Sequence, residues 1–221
     1  MNGAFTESKF WQILPFISDL VILNLLFLLC CLPIVTIGAS QAGLYTGVRV
    51  LLDKEDDTSC TKAFFRGFRS GFLRITVSSC LYLVLAALLV AAMIAMISYQ
   101  QSGVEAPLWI AMAALSLCLL QQSLLPLFHS RFDCKFSQLL RNVCITALGN
   151  PLRTLLTAVL TWLPVGVALL FPYVFLKITV VWLALYYSLA AMAGTLLFHK
   201  PFRKIEESLD EEVPAEAEAE A

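Results

Sequence analysis

Five apolar stretches, each about long enough to cross a bilayer, occupy most of this 221-residue chain. A transmembrane helix needs roughly 20 mostly apolar residues, because the hydrocarbon core is about 30 Å thick. Only 14% of the residues are charged, whereas soluble domains average about 25%. The sequence therefore predicts an all-α, polytopic transmembrane helical bundle of about five spans, with short cytoplasmic amphipathic helices. The predicted spans are 13–37, 75–99, 107–128, 151–171 and 173–198.

A single transmembrane domain is predicted for residues 1–205, since no connection between spans is long enough to fold alone. Residues 206–221 are rich in Glu and Ala and contain no aromatic residue. This composition cannot bury enough apolar surface to fold, so it predicts a disordered acidic tail. The tail masks a basic body, because eight of the 16 acidic residues lie in it and all 15 Lys and Arg residues precede it.

Most Lys and Arg residues lie in alternate connections between the predicted spans. With five spans, thirteen of the 15 face one side, while Lys9 and Lys177 face the other. Cytoplasmic loops carry an excess of Lys and Arg, so the thirteen-cation side is predicted to be cytoplasmic. The C-terminus is then inside and the N-terminus outside. Segment 38–52 is too short for an ordinary span and is interpreted as a packed or interfacial helix; if it crosses, there are six spans and the N-terminus is inside.

A helix break is predicted near the end of the first span, at Pro33 and Gly38. Proline lacks a backbone N–H group and clashes with the preceding helical turn. Ala39, Gly43 and Gly47 then recur every four residues. Small residues at this spacing allow a second helix to approach closely. We expect packing within the chain rather than an oligomer interface.

Four polar residues inside the predicted spans are candidates for an intramembrane site. A charged group at mid-membrane costs roughly 2.5–3.5 kcal/mol on insertion scales, so such groups often mark function. We nevertheless expect Asp19 to pair with an arginine or a backbone donor, and the glutamines to hydrogen-bond between helices. The candidates are Asp19, Asn24, Gln121 and Gln122.

Two basic segments are predicted at the cytoplasmic face. In residues 60–74, three cations share one helical face and three phenylalanines, Phe65, Phe68 and Phe72, lie beside it. A second helix is predicted over 134–148, with Asp133 as its cap. Basic amphipathic helices suit the inner leaflet, where their cations contact anionic lipid. The candidate surface for lipid or a partner comprises Lys62, Arg66, Arg69, Arg74, Arg131, Arg141 and Arg153.

The fourth span is predicted to begin at Asn150 and Pro151, as cap and first helical residue. Upstream of it, His129 and Asp133 lie close in sequence, but neither a nucleophile nor a second carboxylate accompanies them. Catalysis at this position is therefore not predicted, and an enzyme is the weakest of the functional readings.

Three sequence runs together resemble the YesL-like family of bacterial integral membrane proteins. They are LNLLFLLCCLPIVTIGASQAGLY at 23–45, FFRGFRSGF at 64–72, and RFD through NPLRTLL at 131–156. The resemblance implies a multi-pass protein of the bacterial cytoplasmic membrane and brings no catalytic residue with it. Members are often encoded beside carbohydrate transporter genes, so the resemblance also implies a role in sugar uptake.

The leading hypothesis is a non-enzymatic accessory factor of an ABC-type carbohydrate importer. Its expected partners are the lipid bilayer and the importer's permease; no cofactor, metal or nucleic acid is expected. The alternative is a small secondary transporter that uses the broken first helix with Asp19 and Asn24, since discontinuous helices often expose backbone to a substrate at mid-membrane.

Overall fold

The chain is built from helices throughout its described backbone, which in this computed structural model comprises residues 3–53, 58–70, 72–98, 105–132 and 136–219. Side chains are described for 14–53, 58–70, 72–96, 98, 107–132 and 137–203. No strand occurs in these residues, so the prediction of an all-α bundle is confirmed. The helices are α1 (Gly3–Cys30), α2 (Ile37–Leu52), α3 (Cys60–Arg69), α4 (Phe72–Ser98), α5 (Glu105–His129), α6 (Phe136–Gly149), α7 (Pro151–Leu170), α8 (Pro172–Val181) and α9 (Tyr187–Ala219).

Four of the predicted spans correspond to helices long and apolar enough to cross a membrane. α8 and α9 are joined by a π-helical segment, Trp182–Tyr186, and together form the last of the four. Many apolar side chains on these helices are exposed, as expected where a bundle faces lipid. The four membrane-length segments are Phe72–Met96, Pro107–His129, Pro151–Leu170 and Pro172–Arg203.

The first predicted span, 13–37, is not a continuous helix. α1 ends at Cys30, and a short 3₁₀ turn over Ile34–Thr36 leads into α2. Pro33 has an extended backbone, with ψ of 119°, and the Thr36 hydroxyl donates a 2.5 Å hydrogen bond to the Cys30 carbonyl that the missing turn leaves unpaired. Gly38 lies inside α2 instead of at the break.

α1 and α2 lie side by side and run in opposite directions. Near the break, the Cys31 side chain lies beside the Ser40 side chain. Farther along, a Cβ added to Gly47 would lie 2.5 Å from a Leu23 methyl group. The residue number in α1 falls from 31 to 23 between these two contacts, while the residue number in α2 rises from 40 to 47. The two helices therefore form an antiparallel hairpin. The N-terminal part of α1 therefore lies at the same end of the bundle as the last residues of α2.

The stripe of small residues in α2 receives α3. A Cβ added to Gly43 would lie 2.9 Å from the Phe64 carbonyl oxygen, and one added to Gly67 would lie 3.0 Å from the Ala42 carbonyl oxygen. Ala39 is also fully buried. The backbones of the two helices approach so closely that only glycine fits at these crossing points. The stripe thus serves packing within the chain.

α3 is shorter than the predicted amphipathic segment 60–74 and buries a different aromatic residue. The helix ends at Arg69 because Ser70 is extended, with ψ of 113°, and Arg74 lies in the first turn of α4. Phe64 is fully buried against α2, whereas Phe65 is 43% exposed. Residue Gly43 explains the difference, since the space beside it is filled by the ring and backbone of Phe64.

The segments around α6 and the C-terminus fit the predicted pattern in part. α6 runs from Phe136 to Gly149 and buries Leu139 and Val143, while the proposed cap Asp133 lies outside the described residues. Asn150 and Pro151 precede and begin α7. The backbone of α9 is helical as far as Ala219, where a disordered tail was predicted from 206; the Ala and Glu residues of this segment have high intrinsic helix propensity.

Candidate functional site

Asn24 is a fully buried bridge between α1 and the α8–α9 span. Its Nδ2 donates to the carbonyl oxygens of Leu183 at 2.6 Å and Trp182 at 3.4 Å, and its Oδ1 accepts from the Ser188 N–H at 3.1 Å. The Ser188 hydroxyl donates to the Leu20 carbonyl at 2.7 Å. The donors and acceptors of this amide are thus occupied by backbone groups of the bundle.

The position of Asn24 explains the π-helical segment that it faces. Leu183 and Ser188 are five residues apart, the spacing of a π-helical hydrogen bond, and the Asn24 amide lies between the carbonyl of one and the N–H of the other. Insertion of a side chain into a backbone ladder is one of the identifiable causes of a helix irregularity. Asn24 therefore satisfies the backbone groups that the irregularity exposes.

Asp19 is half-buried on α1, about one turn and a half before Asn24. Its neighbour is the thiol of Cys60 at the start of α3, rather than an arginine. Burial raises the pKa of Cys60, and the Asp19 carboxylate raises it further by charge repulsion and by accepting a hydrogen bond from the thiol. This contact places the middle of α1 beside the start of α3.

The two glutamines connect α5 to different neighbours. Gln121 accepts a hydrogen bond from the Tyr82 hydroxyl at 2.5 Å and donates to the Cys144 sulfur at 2.7 Å, linking α5 to α4 and α6. Gln122 donates to the Ser79 hydroxyl at 3.0 Å. Each of the four polar candidates therefore has its own partners, and the structure does not bring them together into one intramembrane site.

The predicted cations of α3 lie on its outer face. Lys62, Arg66 and Arg69 are exposed, opposite the buried Phe64 and Gly67 that pack on α2. Arg74 and Arg141 are also exposed, and Arg131 and Arg153 are half-buried. The charged face of α3 is thus presented away from the bundle by the same packing that buries its small and aromatic residues.

A polar cavity of about 400 Å³ lies where α2, α3 and the end of α5 meet. Three arginines line it: Arg49 from α2, Arg66 from α3, and Arg131 just after α5. The cavity is at the ends of two membrane-length helices, since α4 begins after Ser70 and α5 ends at His129, both of which also line it. This is the largest convergence of charged groups among the described residues.

Hydrogen bonds from side chains to backbone carbonyl groups, and a ring contact, connect the walls of the cavity. Arg49 Nη1 donates to the Ser130 carbonyl at 2.8 Å, which ties α2 to the end of α5. His129 Nε2 lies 2.8 Å from the Ser70 carbonyl; because a carbonyl oxygen only accepts, this nitrogen carries the proton. The Arg131 guanidinium lies over the Phe202 ring of α9, 5.4 Å from its centroid.

One of the arginines that line the cavity, Arg49, has an acidic neighbour on the same helix end. The Asp53 carboxylate lies 3.8 Å from Arg49 Nε, and both side chains are more than a third exposed. Exposed pairs at this distance contribute little and are screened by salt.

Sequence reasoning included Arg66 and Arg131 in a general basic surface but missed the cavity they form with Arg49. Arg49 was not among the residues predicted for that surface. The spacing of three arginines at 49, 66 and 131 carries no periodic signal, because the glycine contacts between α2 and α3 bring the first two together. Arg131 joins them because α5 ends beside the start of α4, where His129 contacts Ser70.

Comparison with protein families found one match, to a family described as "Protein of unknown function, DUF624", over residues 20–97. The matched segment contains α2, α3, nearly all of α4 and the part of α1 from Leu20 onward, so it includes Arg49 and Arg66 but not His129 or Arg131. Comparison with curated proteins and with solved structures found no match. Over this segment the chain is similar to a family whose function is unknown.

Proposed function

We propose that this chain is a non-enzymatic accessory factor in the bacterial cytoplasmic membrane, acting with an ABC-type carbohydrate importer. One observation carries the proposal: α3 presents Lys62, Arg66 and Arg69 on an exposed face that is fixed to the bundle through Gly43 and Gly67. A rigidly held cationic helix at a membrane boundary suits recognition of an acidic protein surface, since complementary charge steers partners together.

The choice of partner depends on the resemblance to YesL-like proteins. That resemblance, at 23–45, 64–72 and 131–156, implies proximity to carbohydrate transporter genes. The DUF624 match is consistent with it for the first two of these segments. We therefore assign the cationic face of α3 to docking on the cytoplasmic side of an importer permease.

A pull-down of the full chain from native membranes in mild detergent tests this assignment. The charge reversals Lys62→Glu and Arg69→Glu, made together, should abolish recovery of an importer permease because they replace the attractive face with a repulsive one. The paired control Arg141→Glu and Lys200→Glu changes the same amount of charge on α6 and α9 and should retain it. Equal recovery with both pairs would reject docking through α3.

The alternative of a small secondary transporter is supported by the break between α1 and α2, since discontinuous helices line many carrier sites. It is weakened by Asn24, whose amide groups are occupied by Leu183 and Ser188. Purified protein in liposomes distinguishes the two proposals. Uptake of labelled oligosaccharide that disappears in Asp19→Asn would favour the transporter; an accessory factor gives no uptake with either chain.

For orientation, we propose that the end of the bundle carrying α3 is cytoplasmic, in accordance with the excess of Lys and Arg there. The antiparallel packing of α1 and α2 supports the six-segment alternative, with the N-terminus also cytoplasmic, over the expected outside N-terminus. Lys9 then joins the thirteen cations of that side, and Lys177 alone faces outward.

A further inference from the structure

We infer that the apolar cavity between α4, α5 and α7 binds a neutral membrane amphiphile, with its hydrocarbon chain along the cavity and its hydroxyl group on the amide of Gln122. This inference goes beyond the proposed function, because it requires no importer and concerns the membrane-embedded part of the bundle rather than the basic end that carries α3. It depends on the position and width of the cavity and on one buried oxygen atom of a residue that lines it.

The cavity lies within three of the membrane-length helices. Its volume is about 680 Å³, and its wall consists of residues from 82–94 of α4, 115–122 of α5 and 162–169 of α7. All three ranges belong to segments that are long and apolar enough to cross a membrane. Most of the lining side chains are aliphatic. A ligand therefore reaches this cavity from the bilayer and must itself be largely apolar.

Small residues keep the cavity open. Ala86, Ala87 and Ala91 contribute to the α4 wall, and Gly166 contributes to the α7 wall. A Cβ added to Gly166 would have no neighbour within 4 Å. Small residues in membrane helices usually allow another helix to approach closely, whereas these residues line unfilled space. The packing of the chain therefore leaves room for an occupant beside α7.

The width of the cavity fits a single hydrocarbon chain better than a helix of another protein. From Tyr82 to Ile94 the wall extends about 18 Å along α4, at about 1.5 Å per residue. A volume of about 680 Å³ over this length gives a mean cross-section of about 40 Å². A helix with its side chains is at least about 10 Å across, which corresponds to about 80 Å². An extended chain is therefore the occupant that the cavity can enclose.

One residue of the wall has a polar atom without a partner. Gln122 is 4% exposed, its Nε2 donates to the Ser79 hydroxyl at 3.0 Å, and its Oε1 accepts no hydrogen bond among the described residues. The Tyr82 hydroxyl and the Trp162 N–H, in contrast, both donate hydrogen bonds within the bundle. A buried acceptor without a partner costs free energy. Gln122 therefore favours a ligand that brings one donor.

A hydroxyl group is the donor that suits this position. The hydrocarbon region contains no water, so a hydroxyl that enters it also needs a partner. An ammonium group would instead need a carboxylate, and no Asp or Glu is among the described residues that line the cavity. Gln122 lies at the end of the cavity nearer α3, because its partner Ser79 precedes Tyr82 on α4. The hydroxyl is therefore assigned to that end, and the chain follows the wall toward Ile94.

Photo-crosslinking of the purified full chain in phosphatidylcholine nanodiscs tests the inference. The probe is a tetradecanol that carries a diazirine in its chain, and the competitors are unlabelled tetradecanol and its methyl ether, which keeps the chain and lacks the donor. We expect cross-links on the peptides that contain the cavity wall. The alcohol should compete about fivefold more tightly than the ether, since this ratio corresponds to a net hydrogen bond of about 1 kcal/mol.

Gly166→Leu and the control Gly149→Leu test where the chain binds. Neither glycine has an atom within 4 Å of an added Cβ, but only Gly166 lines this cavity. A leucine side chain at position 166 occupies space that the hydrocarbon chain requires. Labelling of the cavity wall should therefore be largely lost in Gly166→Leu and unchanged in Gly149→Leu.

Gln122→Met and the control Gln121→Met test the hydroxyl contact. Each removes an α5 amide that hydrogen-bonds to a neighbouring helix, but only Gln122 lines the cavity. Gln122→Met should make the alcohol and the ether compete equally, whereas Gln121→Met should keep the preference for the alcohol. Because both competitors are measured on the same variant, a general loss of stability does not produce this result.

Three results would overturn the inference. Cross-links only outside the cavity wall would place the chain elsewhere. Equal competition by the alcohol and the ether on the unmodified chain, or an unchanged preference for the alcohol in Gln122→Met, would show that Gln122 recognises no hydroxyl. An equal loss of labelling in Gly166→Leu and Gly149→Leu would show that the cavity does not enclose the chain. The melting temperature of each variant, measured without the probe, separates loss of the site from loss of the fold.

Discussion

Among single residues, Asn24 determines how α1 meets the rest of the bundle. It is fully buried, and every hydrogen bond it makes goes to the π-helical segment or to the serine that follows it. A polar side chain within an apolar helix is therefore explained here by backbone groups on another helix. Transport chemistry is not needed to account for it.

Replacing Asn24 with Ala should lower the free energy of unfolding by about 1–3 kcal/mol. The change leaves the Leu183 carbonyl and the Ser188 N–H buried without their side-chain partner, and unsatisfied buried groups cost about this much. Thermal unfolding in detergent measures the loss. Ser116→Ala is the control, since that exposed hydroxyl bonds only the Ala113 carbonyl of its own helix. Equal melting temperatures for both variants would contradict a bridging role.

Replacing Asp19 with Asn should make Cys60 ionise at lower pH. The carboxylate raises the pKa of the thiol above its ordinary value of 9.0, so its removal lowers that pKa and increases the thiolate fraction at pH 8 to 9. Alkylation of Cys60, followed peptide by peptide with mass spectrometry, should then be faster, because the thiolate is the nucleophile. Cys30, eleven residues along α1, provides the internal control. An unchanged rate for Cys60 would show that the two groups do not interact.

Among the secondary-structure elements, the pair α2 and α3 does most to build the candidate site. The glycines Gly43, Gly47 and Gly67 let the two helices approach until Phe64 is enclosed. This contact turns Lys62 and Arg69 outward and brings Arg66 toward Arg49. Packing of small residues therefore controls where the charges lie.

Gly43→Ala should destabilise the protein and Gly166→Ala should not. An added methyl group at Gly43 would lie 2.9 Å from the Phe64 carbonyl oxygen, whereas nothing lies within 4 Å of one at Gly166. Overpacking costs about 1–3 kcal/mol, while alanine in an open helical position is favoured over glycine by about 0.5–1 kcal/mol. Melting temperatures that move in opposite directions would verify the contrast; a parallel shift would mean that α2 and α3 can separate without cost.

At the scale of the whole molecule, the hairpin of α1 and α2 decides which chain segments share a side. Leu23 packs at Gly47, and Asp19 contacts Cys60, so the second half of α1 lies beside the last turns of α2 and the start of α3. The arginines at 49, 66 and 131 lie at this same end. The predicted span 13–37 therefore includes the turn of a hairpin instead of forming one continuous helix.

An epitope tag at the N-terminus should be protected in intact spheroplasts and cleaved in inverted vesicles, like a tag at the C-terminus. The antiparallel hairpin of α1 and α2 leads us to expect the N-terminus on the side of α3, where Phe202 of α9 also contacts Arg131. A tag inserted in the cation-free connection 100–104 serves as the control and should behave in the opposite way. Cleavage of the N-terminal tag in spheroplasts would instead favour five spans with an outside N-terminus.

The sequence was most informative about the membrane-length helices, which can be recognised from the length and composition of an apolar run alone. Four spans match α4, α5, α7 and the combined α8 and α9, because a run of about 20 apolar residues has few structures available to it in lipid. The sequence was less informative for the first span, where Pro33 ends the helix early. It also favoured Phe65 over Phe64 as part of the apolar face, since helical periodicity does not reveal which side a neighbouring glycine leaves open.

The candidate site could be predicted only in its charge. Arg66 and Arg131 were placed on a basic surface because cations accumulate in alternate connections, but the inclusion of Arg49 and His129 depends on contacts between residues far apart in sequence. Such contacts leave no local pattern. Asn24 and the glutamines were likewise visible as polar residues in apolar helices, although their separate partners were not.

By itself, the sequence determined that this protein is a helical membrane protein with a basic end. Both properties depend on how apolar length and the positions of Lys and Arg relate to a bilayer, and neither requires knowledge of contacts between helices. Only the tertiary structure decided that α1 and α2 form a hairpin, that Asn24 joins the π-helical segment, and that three arginines surround one cavity. These features depend on close packing at Gly43, Gly47 and Gly67, where the fit of one helix against another fixes positions that no sequence pattern encodes.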